Sequence, residues 1–372
     1  MNKIIVVGAG IVGASTAYQL SKHNVEVVIV DRKDRGQATD AAAGIVCPWL
    51  SQRRNQAWYQ LAKGGAKFYP SLIKELKQSG ENNTGYAQVG ALSLHKDKTK
   101  LTKLEERAVK RKEMAPEMGE ITSLSEQATT SYFPPIDSEF SSVHVSGAAR
   151  VDGRALREAL LQAAQKNGAK LCYGSAELIS EHNRVTGIQL ETEVITADKI
   201  VVCTGAWGKE TLKPLGIEFQ VSFQKAQIIH LNLPDANTND WPVLMQPGNQ
   251  YVLAFDNGRI VAGATHEDTE KYDTRVTAGG LHEVFNKALE TVPGIADGTF
   301  VEARTGFRPF TPGFLPVFGQ VPEWENLFIA NGLGASGLTM GPYIGSELTK
   351  IILGFEPEID VSAYSVDKAL KQ

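Results

Sequence analysis

Residues 3–7 form a short apolar run rich in Ile and Val, the pattern of a strand buried on both faces. A glycine turn over 8–13 follows. Ile11, Val12, Ala14, Ala17, Tyr18 and Leu20 then recur at helical spacing until polar Ser21 to Asn24. Residues 25–30 read as a second strand, closed by Asp31. The order predicts a βαβ unit at the start of the chain. Farther on, 152–167 is an amphipathic helix with Leu156, Ala159, Leu160, Ala163 and Ala164 on one face, stopped by Asn167-Gly168. Strands are expected over 169–173, 176–179, 200–202 and 326–330, and a helix over 344–353 ending at Gly354. Residues 51–145 read as helical and charged. Residues 219–303 read as alternating strands over 219–231, 250–255 and 259–264, with a hairpin turn at Asp256-Asn257-Gly258 and a helix over 278–291.

Composition narrows the class. The 372 residues imply two to three domains, enough to bury a large core. With 42% hydrophobic and 22% charged residues and a net charge of −4, the chain is a poor polyanion binder, so no nucleic-acid partner is expected. The basic run from Lys96 to Lys112 mixes signs at helical spacing and reads as a solvated helix face. Cys47, Cys172 and Cys203 are odd in number and far apart, which argues against a disulfide framework and for a reducing cytoplasm. Cys203, after Ile200-Val201-Val202, reads as a buried strand cysteine. Met1-Asn2-Lys3 runs straight into the first strand and leaves no room for a secretory signal. No apolar run approaches the ~18 residues of a membrane span. The expected location is cytoplasmic, with peripheral membrane association left open. Zinc-type spacing and a G-x-S-x-G elbow are both missing, so no metal site and no serine nucleophile are expected.

Glycine is the one excess, 35 of 372 residues against a usual ~7%. In Gly8-Ala9-Gly10-Ile11-Val12-Gly13, Gly8 serves the tight turn and Gly10 a close backbone approach to a pyrophosphate. Gly13 lets the helix pack on the strand. The helix start at Ile11 and Val12 offers amide hydrogens and a positive dipole to phosphates. Asp31 is placed to accept from adenosine ribose hydroxyls. Arg32 and Lys33 hint at a 2′-phosphate, but Asp31 would repel it, so NADP is disfavoured. The glycines return over 304–345. A strand, the turn Asn331-Gly332-Leu333-Gly334-Ala335-Ser336-Gly337-Leu338-Thr339 and a helix repeat the arrangement, suited to an electron-rich ring edge. A nicotinamide enzyme does not need this second element, and a flavin enzyme does.

Gly8 to Gly13 with Asp31, the phrase Thr305-Gly306-Phe307-Arg308-Pro309-Phe310-Thr311-Pro312, and the Gly332 to Met340 loop together resemble the D-amino-acid oxidase superfamily of FAD enzymes. The likeness is best to its glycine oxidase and D-amino-acid dehydrogenase branch, and it runs almost end to end. Asp40-Ala41-Ala42-Ala43-Gly44 resembles the stretch that passes the flavin. Val151-Asp152-Gly153-Arg154 resembles the start of the helix where the chain re-enters the FAD domain, and Cys203-Thr204-Gly205-Ala206-Trp207 the turn beyond the next strand. The resemblance implies FAD contacts from Arg32, Thr39, Ala42, Ala43, Gly44 and Ile45, from Leu178 at the adenine end, and from Thr204, Gly205 and Trp207. It implies further contacts from Arg308, Gly332, Gly334, Ala335, Ser336, Gly337, Leu338 and Thr339. Two departures stand out. Thr39 and Asp40 replace the usual serines, and an acid is unexpected near a pyrophosphate. No Cys follows Cys203, so FAD is expected to be non-covalent, unlike the sarcosine-oxidase relatives.

The fold expected is α/β: a Rossmann-like FAD-binding domain (1–50, 146–215 and 304–372) interleaved with a smaller antiparallel-sheet α+β substrate domain (51–145 and 219–303). The reaction implied is oxidation of the C–N bond of a small amino acid, a D-amino acid, glycine or N-alkyl glycine. Hydride passes to flavin N5, and the imine left behind is hydrolysed by water to oxo acid and amine. Arg308 matches the family's carboxylate-binding arginine, a planar fork suited to that group, against the plainer reading of a surface salt bridge. Tyr251 stands where the glycine-oxidase branch has a substrate-side tyrosine, and packing is the competing role. Cys47 and His266 are candidate pocket residues, the latter equally readable as an exposed loop histidine. The acceptor is oxygen or a quinone or other carrier, and a homo-oligomer is left open. Two other classes compete: a flavin-carrying electron-transfer subunit of a hetero-oligomeric amine dehydrogenase, and an NAD(P)-dependent dehydrogenase.

Overall fold

The structure, a computed structural model, describes residues 1–371 except Thr192 and Asp235. The chain begins with β1 (Asn2–Val7), α1 (Ile11–Ser21) and β2 (Val25–Asp31), then a two-residue strand β3 (Ile45–Val46). The next stretch holds α2 (Gln56–Gln78), β4 (Ala91–His95), α3 (Lys98–Lys112), β5 (Ile121–Leu124), α4 (Glu126–Tyr132) and β6 (Ser141–Val145). It continues through β7 (Ala149–Arg150), α5 (Gly153–Lys166), β8 (Lys170–Tyr173), β9 (Ala176–Glu181), β10 (Arg184–Leu190), β11 (Glu193–Thr196), β12 (Lys199–Val202) and α6 (Gly208–Leu212). After these come β13 (Ser222–Asn232), β14 (Val243–Met245), β15 (Tyr251–Ala254), β16 (Arg259–Gly263), β17 (Glu267–Asp268) and α7 (Ala278–Thr291). The chain closes with β18 (Thr299–Phe310), β19 (Val317–Gln320), β20 (Leu327–Asn331) and α8 (Gly337–Leu353).

The first sheet has the order β19-β20-β12-β1-β2-β8, parallel throughout except for β19. Away from their ends the central strands are apolar on both faces, because both faces are covered. Ile4, Val6, Val27, Ile29 and Val201 belong to the core under α1, α5 and α8. Ile5, Val7, Val28, Val30, Ile200 and Val202 belong to the core on the opposite face. Each such side chain contributes about 1.5–3 kcal/mol by burial. The glycine turns lie at the carboxyl ends of these strands, where open α/β sheets bind ligands.

The second sheet has nine strands and is antiparallel apart from the β4–β14 pair. β15 and β16 form the expected hairpin, with Asn257 at φ 60° and Gly258 at φ 75°, the left-handed pair such a turn requires. α7 spans the expected residues.

Three expectations need correction. Residues 51–145 contain β4, β5 and β6 as well as helices, and these strands extend the second sheet. Residues 304–310, expected in the FAD-binding domain, lie in β18, which pairs with β13 from Ser222↔Phe310 to Asn232↔Thr299 and so continues the second sheet. The last helix begins at Gly337 rather than 344. Pro342 sits inside it and gives no amide hydrogen to the carbonyl of Leu338. The Tyr69 hydroxyl donates to that carbonyl instead, at 2.6 Å.

Candidate active site

A cavity of about 1220 Å³ runs from the glycine turn of β1 to the face of the second sheet. That exceeds the ~300–1,000 Å³ of a site for one drug-sized ligand, leaving room for a long cofactor and a substrate together.

At the nucleotide end, Gly8 sits at φ +98°, and a Cβ there would stand 2.5 Å from the carbonyl oxygen of Cys203. A Cβ at Gly13 would stand 1.8 Å from the Gly8 carbonyl, so α1 can lie against the turn only without one. Gly10 is different. A Cβ there meets nothing nearer than Thr39 Oγ1 at 3.5 Å, so the remaining open side is the cavity. The buried Thr39 hydroxyl accepts from the Ile11 amide at 3.0 Å and keeps its own hydrogen to donate. Asp31 is 7% exposed, with Oδ2 accepting from Ala9 N at 2.6 Å and Oδ1 from Lys33 N and Gln37 Nε2. It therefore shapes the turn as well as facing the cavity. Arg32 lines the cavity but is committed to Glu210 at 2.6 Å and Asp34 at 2.7 Å, and the Glu210 bond raises its pKa. A guanidinium so neutralised is not a 2′-phosphate receptor. The unexpected Asp40 is paired with Arg157 at 2.6 Å.

Along the middle, Ala42, Ala43, Gly44 and Ile45 form one wall, and Thr204, Gly205 and Trp207 another. Trp207 stacks on Tyr272 with centroids 5.4 Å apart, and the Tyr272 hydroxyl donates to the Ala206 carbonyl, which fixes that turn. Asn331 binds two glycine turns together. Its Nδ2 donates to Gly205 O at 2.9 Å, and its Oδ1 accepts from Gly332 N at 2.7 Å. Gly334, Ala335, Ser336, Gly337, Leu338 and Thr339 close the cavity at the start of α8. That helix start carries no side-chain cap, and a Cβ at Gly337 meets nothing within 4 Å. Gly13 and Gly332 stand behind the lining. Leu178 is not in it. The side chain is buried in the core beside the first sheet, and Gly174, Ser175 and Ala176 face the cavity instead, because the strand enters the core within two residues.

At the far end the second sheet supplies Arg308 and Tyr251, and the exposed His266 stands in the loop between β16 and β17. Arg308 lies opposite Gln224 in the β13–β18 register, and its Nη1 reaches Gln224 Oε1 at 3.5 Å. Among the described residues it has no carboxylate partner, so the salt-bridge reading fails. Burial pushes the Tyr251 phenol up, offset in part by the charge of Arg308. Burial and then the same charge push the His266 imidazole down, so the ring is neutral at neutral pH. Cys47 lines this region too, but burial pushes its thiol up to about 12, which leaves no thiolate nucleophile. The roles of Asn331, Gln246, Gln250, Arg53 and the inward flank of α3 were not expected from the sequence. The pair Gln246 and Gln250 brackets the turn Pro247-Gly248-Asn249, a breaker cluster that could have marked them. No cluster of three or more metal-ligating side chains occurs among the described residues, and no described helix is long and apolar enough to cross a membrane.

A parallel sheet with a glycine turn at its carboxyl edge, facing an antiparallel sheet across one long cavity, defines a dinucleotide-dependent oxidoreductase. Residues 3–351 match the family model for FAD dependent oxidoreductases, DAO, and the chain belongs to that family. It is a flavoprotein, and Gly10, Thr39 and the open start of α8 fit FAD. The chain is 60% identical over 371 residues to "Uncharacterized oxidoreductase YurR" of Bacillus subtilis, covering all of both. It is 28% identical to the glycine oxidase of Pseudomonas putida, over 99% of each chain. The crystal structure of iminodiacetate oxidase from Chelativorans sp. BNC1 matches with a TM-score of 0.95 and 42% identity, over 97% of this chain and 98% of that one.

Proposed function

We propose that this enzyme oxidises the C–N bond of a small amine that bears a carboxylate, a primary or N-substituted amino acid. Bound FAD supplies the hydride acceptor. The observation that carries the reading is Arg308, a guanidinium on the cavity wall with no carboxylate of the protein to hold. It takes the substrate carboxylate through charge-assisted hydrogen bonds, each worth about 1.5–3 kcal/mol. The half-buried Tyr251 phenol donates beside it. Hydride leaves carbon only when the neighbouring nitrogen holds a free electron pair, so the substrate ammonium must first lose a proton. The neutral His266 ring is the group at this end able to accept it. The product imine then takes up water to give a carbonyl compound and an amine. The likeness to proteins named glycine oxidase and iminodiacetate oxidase supports the same class of donor.

FAD is held without a covalent bond in this reading, and the protein remains outside the membrane. Arg308→Ala retains FAD and loses at least ~2 kcal/mol in kcat/KM for carboxylate-bearing amines. Unchanged kcat/KM in that variant contradicts the role.

A further inference from the structure

The cavity does not end at Arg308. On the side of α3 and the 51–55 loop its lining includes Arg53, Lys100, Lys103 and Arg107, with no Asp or Glu. The acids of the lining, Asp31 and Asp34, belong to the nucleotide end. Lys100, Lys103 and Arg107 follow at three and four residues, so one flank of α3 faces inward. A protein of net charge −4 thus gathers four cations at one mouth.

These cations lack counter-ions. None of the four has a carboxylate within ion-pair distance among the described residues. Arg53 is half-buried, lies 5.1 Å over Trp58 and donates to the Phe314 carbonyl, and burial alone pushes its pKa down. The Arg107 Nε is buried with no partner. The Nη1 of its neighbour Arg111 donates to the carbonyls of Trp49 at 2.5 Å and Ser51 at 2.6 Å, which anchors the loop that carries Arg53. Arg107 lies close enough for its charge to act on Arg111, and Arg111 has carbonyl partners while the Arg107 Nε has none. A buried unpaired donor and an unbalanced charge both cost free energy that an incoming anion relieves.

Position separates this cluster from Arg308. Ser93 pairs with Met245, and Met245 with Tyr251, so β4 lies two strands from Tyr251, about 10 Å at the usual spacing. β4 leads into α3. Gln246, next to Met245, faces the cavity between them with a buried Nε2 that has no partner.

We propose that Arg53 and Arg107 form a second anion site that receives another carboxylate of the substrate, with Lys100 and Lys103 drawing it in. The substrate class is then an amine with two carboxylates, one at Arg308 and one at the α3 mouth. This rests on the reading of Arg308 as the first carboxylate anchor.

The test compares N-methylglycine with N-(carboxymethyl)glycine, which differ by one carboxylate, in the FAD-loaded enzyme. The expected kcat/KM ratio favours the dicarboxylate by about 10-fold or more, the scale of one charge-assisted hydrogen bond. The ratio shrinks with added salt. It falls at least several-fold in Arg53→Gln and in Arg107→Gln, with Arg53→Lys recovering part. The visible spectrum of bound flavin confirms that each variant is folded. A ratio near one in the native enzyme overturns the second site and leaves the Arg308 reading standing, as does a ratio that survives both substitutions. Failure of both amines to reduce the flavin overturns the Arg308 reading and this one with it.

Discussion

The Arg157 guanidinium lies 2.6 Å from the Asp40 carboxylate, which places a negative charge beside the nucleotide end of the cavity under the control of a neighbouring helix. Arg157→Met should leave Asp40 only the longer 3.9 Å contact with Arg154, and so freer to repel the FAD phosphates. The pair is partly exposed, so the cost is about 1 kcal/mol, or roughly 5-fold in Kd for FAD. Adding Asp40→Asn should restore most of the affinity. Flavin binding to apoprotein, measured for the single and double variants, checks the cycle.

Gly10 and Gly13 should respond differently to a side chain. Gly10→Val has room in the protein but fills the cavity, so the product is folded and colourless. Gly13→Val meets the Gly8 carbonyl, where a Cβ would stand at 1.8 Å, and should unfold or fail to express. Circular dichroism and the flavin spectrum separate the two. A yellow Gly10→Val protein contradicts the placement of FAD at this turn.

Acid precipitation should release all of the flavin into the supernatant. Cys47→Ser should retain FAD, because a buried thiol with its pKa pushed up to about 12 makes no bond to the ring. Flavin that stays with the pellet contradicts non-covalent binding.

Stability should fall on mild acidification. His230 is 3% exposed in β13, with its pKa lowered to about 4 by burial and then by Arg304. The unfolded chain binds a proton near pH 6.5 that the native state refuses until about 4. The contribution is therefore fully present above pH 6.5 and is lost as pH falls through that window. Between pH 7.5 and 5 the loss is about 2 kcal/mol. His230→Gln should flatten this part of the profile in urea titrations, and an unaltered slope contradicts it.

How far the sequence carried the reading depends on where each signal lay. β1, α1 and β2 were legible because apolar period and glycine spacing agree within one contiguous unit. β4, β5 and β6 were not. Each is five residues or shorter, and they lie among charged helices. β5 alternates against nothing, with its middle residues exposed. Residues 304–310 of β18 were placed with the FAD-binding domain by their motif, because the pairing of β18 with β13 is a long-range register invisible in local pattern. Arg308 and Tyr251 were legible through resemblance, and His266 only as a loop histidine that could equally be exposed. α3 was legible as a helix, but its mixed charge concealed that Lys100, Lys103 and Arg107 share an inward flank. Asn331 gave no signal, since an asparagine at a strand end is common and its two partners come from turns far apart in the chain.

The most direct test of the central claim is anaerobic reduction of the bound flavin by glycine and N-methylglycine, set against methylamine and dimethylamine, which lack the carboxylate. The account predicts bleaching of the visible flavin absorption by the carboxylate-bearing amines and little or none by the others. The difference should collapse in Arg308→Ala. Bleaching by the simple amines at equal rates, or by none of the four, would contradict it.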